Sequence, residues 1–360
     1  MIRTCVRYVL LPLLSLVLVA GVLFLALVGP WPAYTDSGWA RSDWHAANLA
    51  RMHASAARSE LSDAPGRLQA GWAERDMTPP LGVPLGGYSG RPNAKRNTGV
   101  HDPIYARAVV LRDGADTVAL VGADLLMTTI NVAERVWAAV AEETGLTPDD
   151  ILFTTSHTHC ATGGFMPGMV GEYSAGEYDA ANVVRIADAI AGAILDAHAA
   201  LAPARIAHTE VRAPEYIVNR TNVPGEDDRL DYLVIENDAG ERCYGLRYSA
   251  HATVLPQEFL QVSAEYPGAL ADALRAATGD MVVFFGGAVG AMGPEPPEAD
   301  TPVARMQAMG QALARRILDH DQPLQFDEHV DIASLGTPLT MPPMQVRRFG
   351  PRWRLSPWFG

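Results

Sequence analysis

Short strand patterns alternate with longer helical patterns along most of this chain. Apolar runs of strand length predict strands at 104–112, 117–124, 151–155, 205–211, 230–236, 244–248 and 281–285. Apolar residues at helical spacing predict helices at 131–143, 178–201, 268–277 and 304–318, with Asn131 as the N-cap of the first. Asp113-Gly114 predicts a hairpin between the first two strands. Because the alternation lacks a strict strand–helix–strand repeat, we expect an α/β (mixed α+β) fold with mixed β-sheets covered by helices in a layered sandwich.

An uncharged apolar run over residues 8–28 follows Arg3 and Arg7 at the N-terminus. About 20 helical residues cross a bilayer core, and arginines ahead of such a run favour a cytoplasmic N-terminus. A cleaved signal peptide is the alternative, but its apolar region is typically about 7–15 residues and ends in a small-x-small site. The sequence therefore predicts one transmembrane helix, an uncleaved signal anchor within residues 1–30, with the remaining chain on the periplasmic or extracellular side.

Composition divides the remaining sequence into three parts. Residues 31–69 are rich in alanine, serine and charge and are interpreted as a tether with one helix near 46–58. Residues 70–320 carry the strand and helix patterns and form the predicted folded domain, and residues 321–360 are a tail rich in proline and arginine. The formal net charge of −13 argues against a nucleic-acid partner.

Two histidines follow the short apolar run at 151–155, in the segment SHTHCATGG at 156–164. Residues two apart in an extended strand project from the same face, so His157 and His159 could share a metal ion or act as ligand and proton carrier. A surface pair without a ligand is the alternative. The glycines that follow allow a close backbone approach to a ligand.

His251 follows another predicted strand and is the second candidate ligand. A lone histidine at such a place is more often buried and bonded to the backbone, but zinc sites do draw ligands from distant strand ends. Arg220 lies in a polar loop, where it either clamps a carbonyl oxygen or is solvated. The glycine-rich segment 286–294 suggests an oxyanion or substrate loop, and it lacks the Lys-Ser/Thr ending of a nucleotide-binding loop.

The cysteines leave one question open. Cys160 and Cys243 could pair in an oxidising compartment, but the sequence does not show it. There is no CxxC motif, so neither a redox motif nor a structural zinc ribbon is indicated.

Several segments together resemble the N-terminal catalytic domain of the neutral/alkaline non-lysosomal ceramidases. AGWAERDMTPP at 70–80 is similar to the opening strand and DITPP turn of that family, and SHTHCATGG to its THTHSGPGG segment. NRT at 219–221, YSAHAT at 248–253 and AEYPG at 264–268 are similar to its NRS, second-histidine and DYPG segments. The resemblance runs from about residue 70 to 318.

This resemblance implies a Zn²⁺ ion bound by His157 and His251, with His159 in proton transfer and Arg220 holding the carbonyl. In the family a later glutamate and tyrosine complete the metal shell, and the sequence to Gly360 matches neither. We therefore expect either a fragment truncated at its C-terminus, with the tail as the start of a missing part, or a substitute ligand. His101, Asp124 and Glu265 are the candidates for that ligand.

The implied activity is zinc-dependent hydrolysis of the amide bond of an N-acyl lipid such as ceramide, close to the membrane that the N-terminal helix would anchor. Two departures leave the substrate open, because the family's GDVSPN loop reads GAMGP at 290–294 and its HSGPGG reads HCATGG at 159–164. An inactive or incomplete relative that acts as a membrane-anchored binding module is the alternative.

Overall fold

The computed structural model describes residues 10–28, 39–57, 66–89, 91, 96–114, 116–221 and 224–340. The chain divides into two compact units, residues 1–60 with 335–360 and residues 61–334.

The described part of the first unit contains two α-helices, α1 (Leu11–Leu27) and α2 (Asp43–Ala56). Pro12 lies in the first turn of α1, where its missing N–H has no intrahelical acceptor to lose. The side-chain amide of Asn48 in α2 donates to the carbonyl oxygen of Thr340 at 2.9 Å and accepts from its N–H at 2.9 Å. The helix expected near 46–58 is therefore present, and it begins three residues earlier.

The predicted transmembrane helix is not supported. Across the described ranges no helix combines the length and apolarity needed to cross a membrane. Residues 1–9 and 29–30 of the predicted segment lie outside the described residues, and the location of the folded unit stays a prediction.

The second unit contains fourteen strands and five helices within its described part. The strands are β1 (Gly66–Arg67), β2 (Gln69–Asp76), β3 (Gly99–Val100), β4 (Tyr105–Arg112), β5 (Thr117–Ala123), β6 (Ile151–Thr155), β7 (Ala202–Arg212), β8 (Ile217–Asn219), β9 (Arg229–Asn237), β10 (Arg242–Tyr248), β11 (Gln261–Val262), β12 (Met281–Gly286), β13 (Met292–Pro294) and β14 (His329–Val330). The helices are α3 (Ile130–Thr144), α4 (Gly168–Ala175), α5 (Ala180–Ala199), α6 (Glu265–Thr278) and α7 (Pro302–Leu318).

Eight strands form one mixed sheet in the order β12-β10-β9-β7-β2-β4-β5-β6. The pairs β5–β6 and β10–β12 are parallel, and the other pairs in this sheet are antiparallel. The β4–β5 hairpin turns at Asp113-Gly114, as its sequence predicts. Each end of the sheet is therefore a parallel pair: β5 and β6 run in the same direction as each other, and so do β10 and β12.

Helices cover the two halves of the sheet. Helices α3 and α5 pack on the half that contains β4 and β5, and α6 and α7 pack on the half that contains β10 and β12. A third apolar cluster joins side chains of both halves, including Val109, Ile235 and Val283. Gly122 of β5 lies so close to β12 that a Cβ there would be 2.6 Å from the carbonyl oxygen of Phe284. The predicted mixed α/β fold with helices covering a mixed sheet is confirmed.

Two local predictions differ from the structure. Helix α3 begins with Thr129 rather than Asn131 in the N-cap position, although the Thr129 side chain makes no capping hydrogen bond, and the Asn131 side-chain amide donates to the carbonyl oxygen of Phe165 at 3.1 Å. Helix α4 was not predicted. Its eight residues include exposed Met169, Val170 and Tyr173 and present no regular apolar stripe.

Candidate metal centre

Three histidines converge where the parallel strands of the two halves of the sheet end. His157 and His159 follow the last residue of β6, and His251 follows β10. The strand β12, parallel to β10, leads into the loop that carries Val289 and Gly290. The carboxyl ends of parallel strands are the usual place for ligand sites in such sheets. We call His157, His159 and His251 the histidine cluster.

The three imidazoles lie in mutual contact. One candidate ligand atom from each lies within 4.8 Å of those of the other two, and the ring centroids are 4.5–5.2 Å apart. The nearest pair of ring nitrogens is Nε2 of His159 and Nε2 of His251, at 2.8 Å. No other group of histidine, cysteine and acidic side chains within the described ranges has the spacing of a metal site.

His157 has an unusual backbone conformation. Its φ is +59°, a left-handed conformation that is uncommon for residues other than glycine. Its Nδ1 lies 2.6 Å from the carbonyl oxygen of Leu126, so Nδ1 carries the proton and donates it to that carbonyl. Nε2 then keeps its lone pair. Burial lowers the pKa of this imidazole, which favours the neutral form that a metal requires.

His251 has two neighbours at Nδ1, the carbonyl oxygen of Val289 at 2.8 Å and Nη2 of Arg220 at 2.7 Å. Arginine only donates, so Nδ1 either accepts from Arg220 or donates to Val289. Only the second tautomer leaves Nε2 free to bind a cation. Burial lowers the pKa of His251 to about 4, and the nearby positive charge of Arg220 acts in the same direction.

His159 is held by its surroundings on several sides. The ring of Tyr88 packs edge-on against it, with centroids 4.7 Å apart, and Nδ1 is buried with no hydrogen-bond partner among the described residues. Burial first, and then the neighbouring histidines and arginines, lower the pKa of His159 to about 3. Gly87 packs so closely that a Cβ there would lie 2.5 Å from Cγ of His159.

The donor set fits a zinc ion. Zinc binds imidazole nitrogen at about 2.0–2.1 Å, so tetrahedral ligand nitrogens stand about 3.3 Å apart. The nitrogens of the histidine cluster, between 2.8 Å and 4.8 Å apart, bracket that distance. Catalytic zinc sites commonly use three protein ligands and keep one position open. His157 and His251 alone would give two protein ligands, and the imidazole of His159 brings the number of available ligands to three.

Arg220 also reaches this region. Its Nε and Nη2 donate to the carbonyl oxygen of Gly290, each at 3.2 Å, and its Nη2 contacts His251. These bonds fix the glycine-rich segment after β12 next to the histidine cluster. The predicted role of Arg220 in holding a substrate carbonyl stays a prediction.

The structure does not bring His101, Asp124 or Glu265 into the histidine cluster. His101 has its ring 5.9 Å from that of Phe259, and its Nε2 lies 3.9 Å from Oδ2 of Asp102. Asp124 is buried and accepts from the guanidinium of Arg107 and from the N–H of Tyr105, each at 3.0 Å. These two side chains thus have other partners.

Glu265 is also engaged elsewhere. It is fully buried, and its carboxylate accepts from the N–H groups of Leu255 at 2.5 Å and Tyr266 at 2.8 Å. Burial raises the pKa of Glu265 to about 7, against the effect of these donors. Because its oxygens bind backbone, Glu265 does not replace the missing ligand.

Sequence reasoning missed Tyr88 and Arg91. Arg91 is buried and donates to the carbonyl oxygens of His159 at 3.2 Å and Gln257 at 3.1 Å, and Tyr88 donates from Oη to Leu255. These contacts join segments 68 to 167 residues apart, so no local pattern reveals them. Cys160 and Cys243 are both free and buried, which answers the question of their pairing.

Residues 68–227 match the family model described as "Neutral/alkaline non-lysosomal ceramidase, N-terminal". A curated relative, the "Neutral ceramidase" of Mycobacterium tuberculosis, is 29% identical over 141 residues, which cover 38% of this chain and 22% of that protein. The matched region thus spans about a fifth of the length of that relative.

Two solved structures share the fold. The neutral ceramidase from Pseudomonas aeruginosa aligns with a TM-score of 0.64 and 21% identity over 73% of this chain and 46% of that one. A ceramidase complexed with C2 aligns with a TM-score of 0.64 and 20% identity, over 71% and 44% of the two chains. The resemblance indicated by the motifs is confirmed: residues 68–227 are similar to the N-terminal domain of the neutral/alkaline non-lysosomal ceramidases.

Proposed function

We propose that this chain carries a zinc-dependent amide hydrolase site that acts on an N-acyl lipid such as ceramide. The observation that carries the proposal is the convergence of His157, His159 and His251 in a domain related to the ceramidases. Proteins named as ceramidases are the relatives in sequence and in fold, which supports an N-acyl amide as the substrate class.

His157 and His251 would hold the ion through Nε2, with Nδ1 of His157 donating to Leu126 and Nδ1 of His251 in the tautomer that donates to Val289. Such second bonds fix the tautomer and ring orientation of metal-binding histidines. A bound zinc ion lowers the pKa of its water to about 7 and polarises a carbonyl. Both imidazoles are neutral at pH 7, because burial lowers their pKa.

His159 supplies the third imidazole. As a neutral ring it either completes the ligand set or presents an N–H to the oxygen on which negative charge develops. The low pKa of about 3 makes it a poor proton store in the resting site, so it holds a proton only while negative charge is present beside it. Arg220 keeps its fixed positive charge beside the cluster and would orient the amide carbonyl.

Substituting His157 or His251 with alanine tests the proposal. We expect each variant to lose stoichiometric zinc and hydrolysis of N-acyl amides, with ceramide as the first substrate tried. His208→Ala is the matched control, because its side chain is 60% exposed on β7 and lies outside the histidine cluster. Retained zinc-dependent hydrolysis in either cluster variant refutes the assignment. Stoichiometric zinc in the wild-type chain without turnover of any N-acyl amide indicates the binding module instead.

A further inference from the structure

The backbone on either side of His251 is bonded to the start of helix α6. Tyr266 is fully buried and donates from Oη to the carbonyl oxygen of Ala250 at 2.5 Å, and Ala250 immediately precedes the histidine. Four residues after the histidine, the N–H of Leu255 donates to Glu265 at 2.5 Å. Two consecutive residues of one helix thus hold both ends of the segment 250–255, which we call the His251 loop.

In the described part of the chain, the hydrogen bonds of the Glu265 carboxylate are to backbone N–H groups. It accepts from the N–H groups of Leu255 and Tyr266, and no ion pair to it occurs among the described residues. A buried carboxylate normally requires a cation or several hydrogen bonds, and here the bonds come from backbone. Its partners therefore make Glu265 a connector of the His251 loop rather than half of a salt bridge.

The same stretch also contacts the loop that carries the other two histidines. Oγ1 of Thr158 donates to the carbonyl oxygen of Ser263 at 2.9 Å, and the N–H of Ser263 donates to the carbonyl oxygen of Cys160 at 2.9 Å. Thr158 and Cys160 flank His159 on either side. Residues 263–266 are thus bonded to both histidine loops.

The backbone of Glu265 gives an independent indication. Its φ is +63°, and among the described non-glycine residues only His157 shares a positive φ. Such conformations persist where surrounding contacts impose them, and they concentrate at functional sites. Glycine would accept this backbone without strain, but it would lose the carboxylate that binds the His251 loop.

We propose that Glu265 and Tyr266 are positioning residues that fix His251 relative to His157 and His159. This inference rests on the proposed function in one respect only, that the histidine cluster binds a divalent cation. Neither residue belongs to the histidine cluster. Each acts through the backbone of the His251 loop.

Zinc titration of the full chain tests this role with Glu265→Gln and Tyr266→Phe. The first replaces one acceptor oxygen by an amide that faces a backbone N–H, and the second removes only Oη. Second-sphere changes of this kind typically weaken metal binding by about 10–100-fold. We expect zinc affinity to fall by about that factor in Glu265→Gln and by about tenfold in Tyr266→Phe.

Asp113→Asn is the matched control. Asp113 is also a buried carboxylate that accepts hydrogen bonds from backbone N–H groups, those of Asp116 at 2.9 Å and Ile332 at 2.7 Å. It lies outside the histidine cluster, at the β4–β5 turn that follows the last residue of β4. The Asp113→Asn substitution should lower the melting temperature and leave zinc affinity unchanged. Zinc affinity within twofold of wild type in both Glu265→Gln and Tyr266→Phe overturns the proposal.

A measurement on the zinc-free chain separates this inference from the proposed function. In the tautomer that leaves Nε2 free for a cation, Nδ1–H of His251 donates to Val289, so in wild-type protein with ¹⁵N-labelled histidine this proton should exchange slowly with solvent. The exchange should accelerate at least tenfold in Glu265→Gln and remain unchanged in Asp113→Asn. If wild-type protein binds no zinc, the proposed function fails, and unchanged exchange in Glu265→Gln would separately refute the positioning role.

Discussion

Substituting Gly87 with alanine tests whether the surroundings of His159 hold its ring in place. Gly87 has a φ of +108°, and a Cβ there would lie 2.5 Å, 2.7 Å and 2.8 Å from Cγ, Nδ1 and Cβ of His159. These atoms lie near the base of the side chain, so a change of rotamer at the far end does not relieve the contact. Either the His159 loop or the Gly87 turn must move.

The expected cost has two parts. Left-handed backbone costs an alanine about 1–2 kcal/mol, and overpacking a filled site costs about 1–3 kcal/mol. The free energy of unfolding should therefore fall by about 2–5 kcal/mol in Gly87→Ala. In domains of about 150–250 residues, each kcal/mol lowers the melting temperature by about 2–4 °C. Displacement of His159 should also weaken zinc binding about tenfold or more.

Gly82→Ala separates the two parts. Gly82 lies in the same loop with a φ of +83°, and a Cβ there meets no atom within 4 Å. This variant should lose only the backbone contribution of about 1–2 kcal/mol and should keep the zinc affinity of wild type. Thermal denaturation and zinc titration of both variants give the comparison. Equal melting temperatures and equal zinc affinities in the two variants would show that His159 is not held by Gly87.

Two further predictions concern buried ionisable groups. Burial raises the pKa of Asp102 to about 6 from 3.8, so its contribution to stability is complete below about pH 4 and is lost as pH rises through 6. The free energy of unfolding of Asp102→Asn, measured by urea denaturation, should therefore rise relative to that of wild type by up to about 3 kcal/mol between pH 4 and pH 8. A difference between the two proteins that does not change with pH contradicts this. Cys160 and Cys243 are free and buried, and burial raises the pKa of both thiols. Iodoacetamide should leave both unlabelled in the native chain and label both after denaturation without a reductant, whereas protection that only a reductant removes would indicate a disulfide.

Local sequence patterns predicted the positions of most of the longer strands and helices. Strands β4, β5 and β6 and helix α5 lie within two or three residues of their predicted bounds, because alternation and helical spacing report directly on burial. The start of α3 was predicted two residues late because Thr129 and Asn131 are both residue types that favour an N-cap, so the sequence alone does not choose between them. The order of the eight strands was not available from pattern, because their pairing joins segments far apart in the sequence.

The sequence indicated which histidines lie at the candidate site, but it did not indicate the residues that hold them in place. His157, His159 and His251 stand in recognisable segments, whereas the bonds from Tyr88 and Arg91 depend on loops that meet only in the folded chain. Such long-range contacts have no local signal, and physical reasoning from composition or spacing does not recover them.

Glu265 shows how chemistry alone misleads about a role. A buried acid close in sequence to a predicted site is a reasonable candidate ligand, but ligation requires an oxygen lone pair directed at the cation. Its carboxylate instead accepts from the N–H of Leu255, and this bond joins α6 to the loop on which His251 depends. Zinc ligands on separate strand ends must be held to a fraction of an ångström, and loops alone seldom provide that precision. A carboxylate that binds backbone therefore contributes to the site through the geometry of its neighbours, and the left-handed conformation of Glu265 is consistent with a contact that the fold imposes.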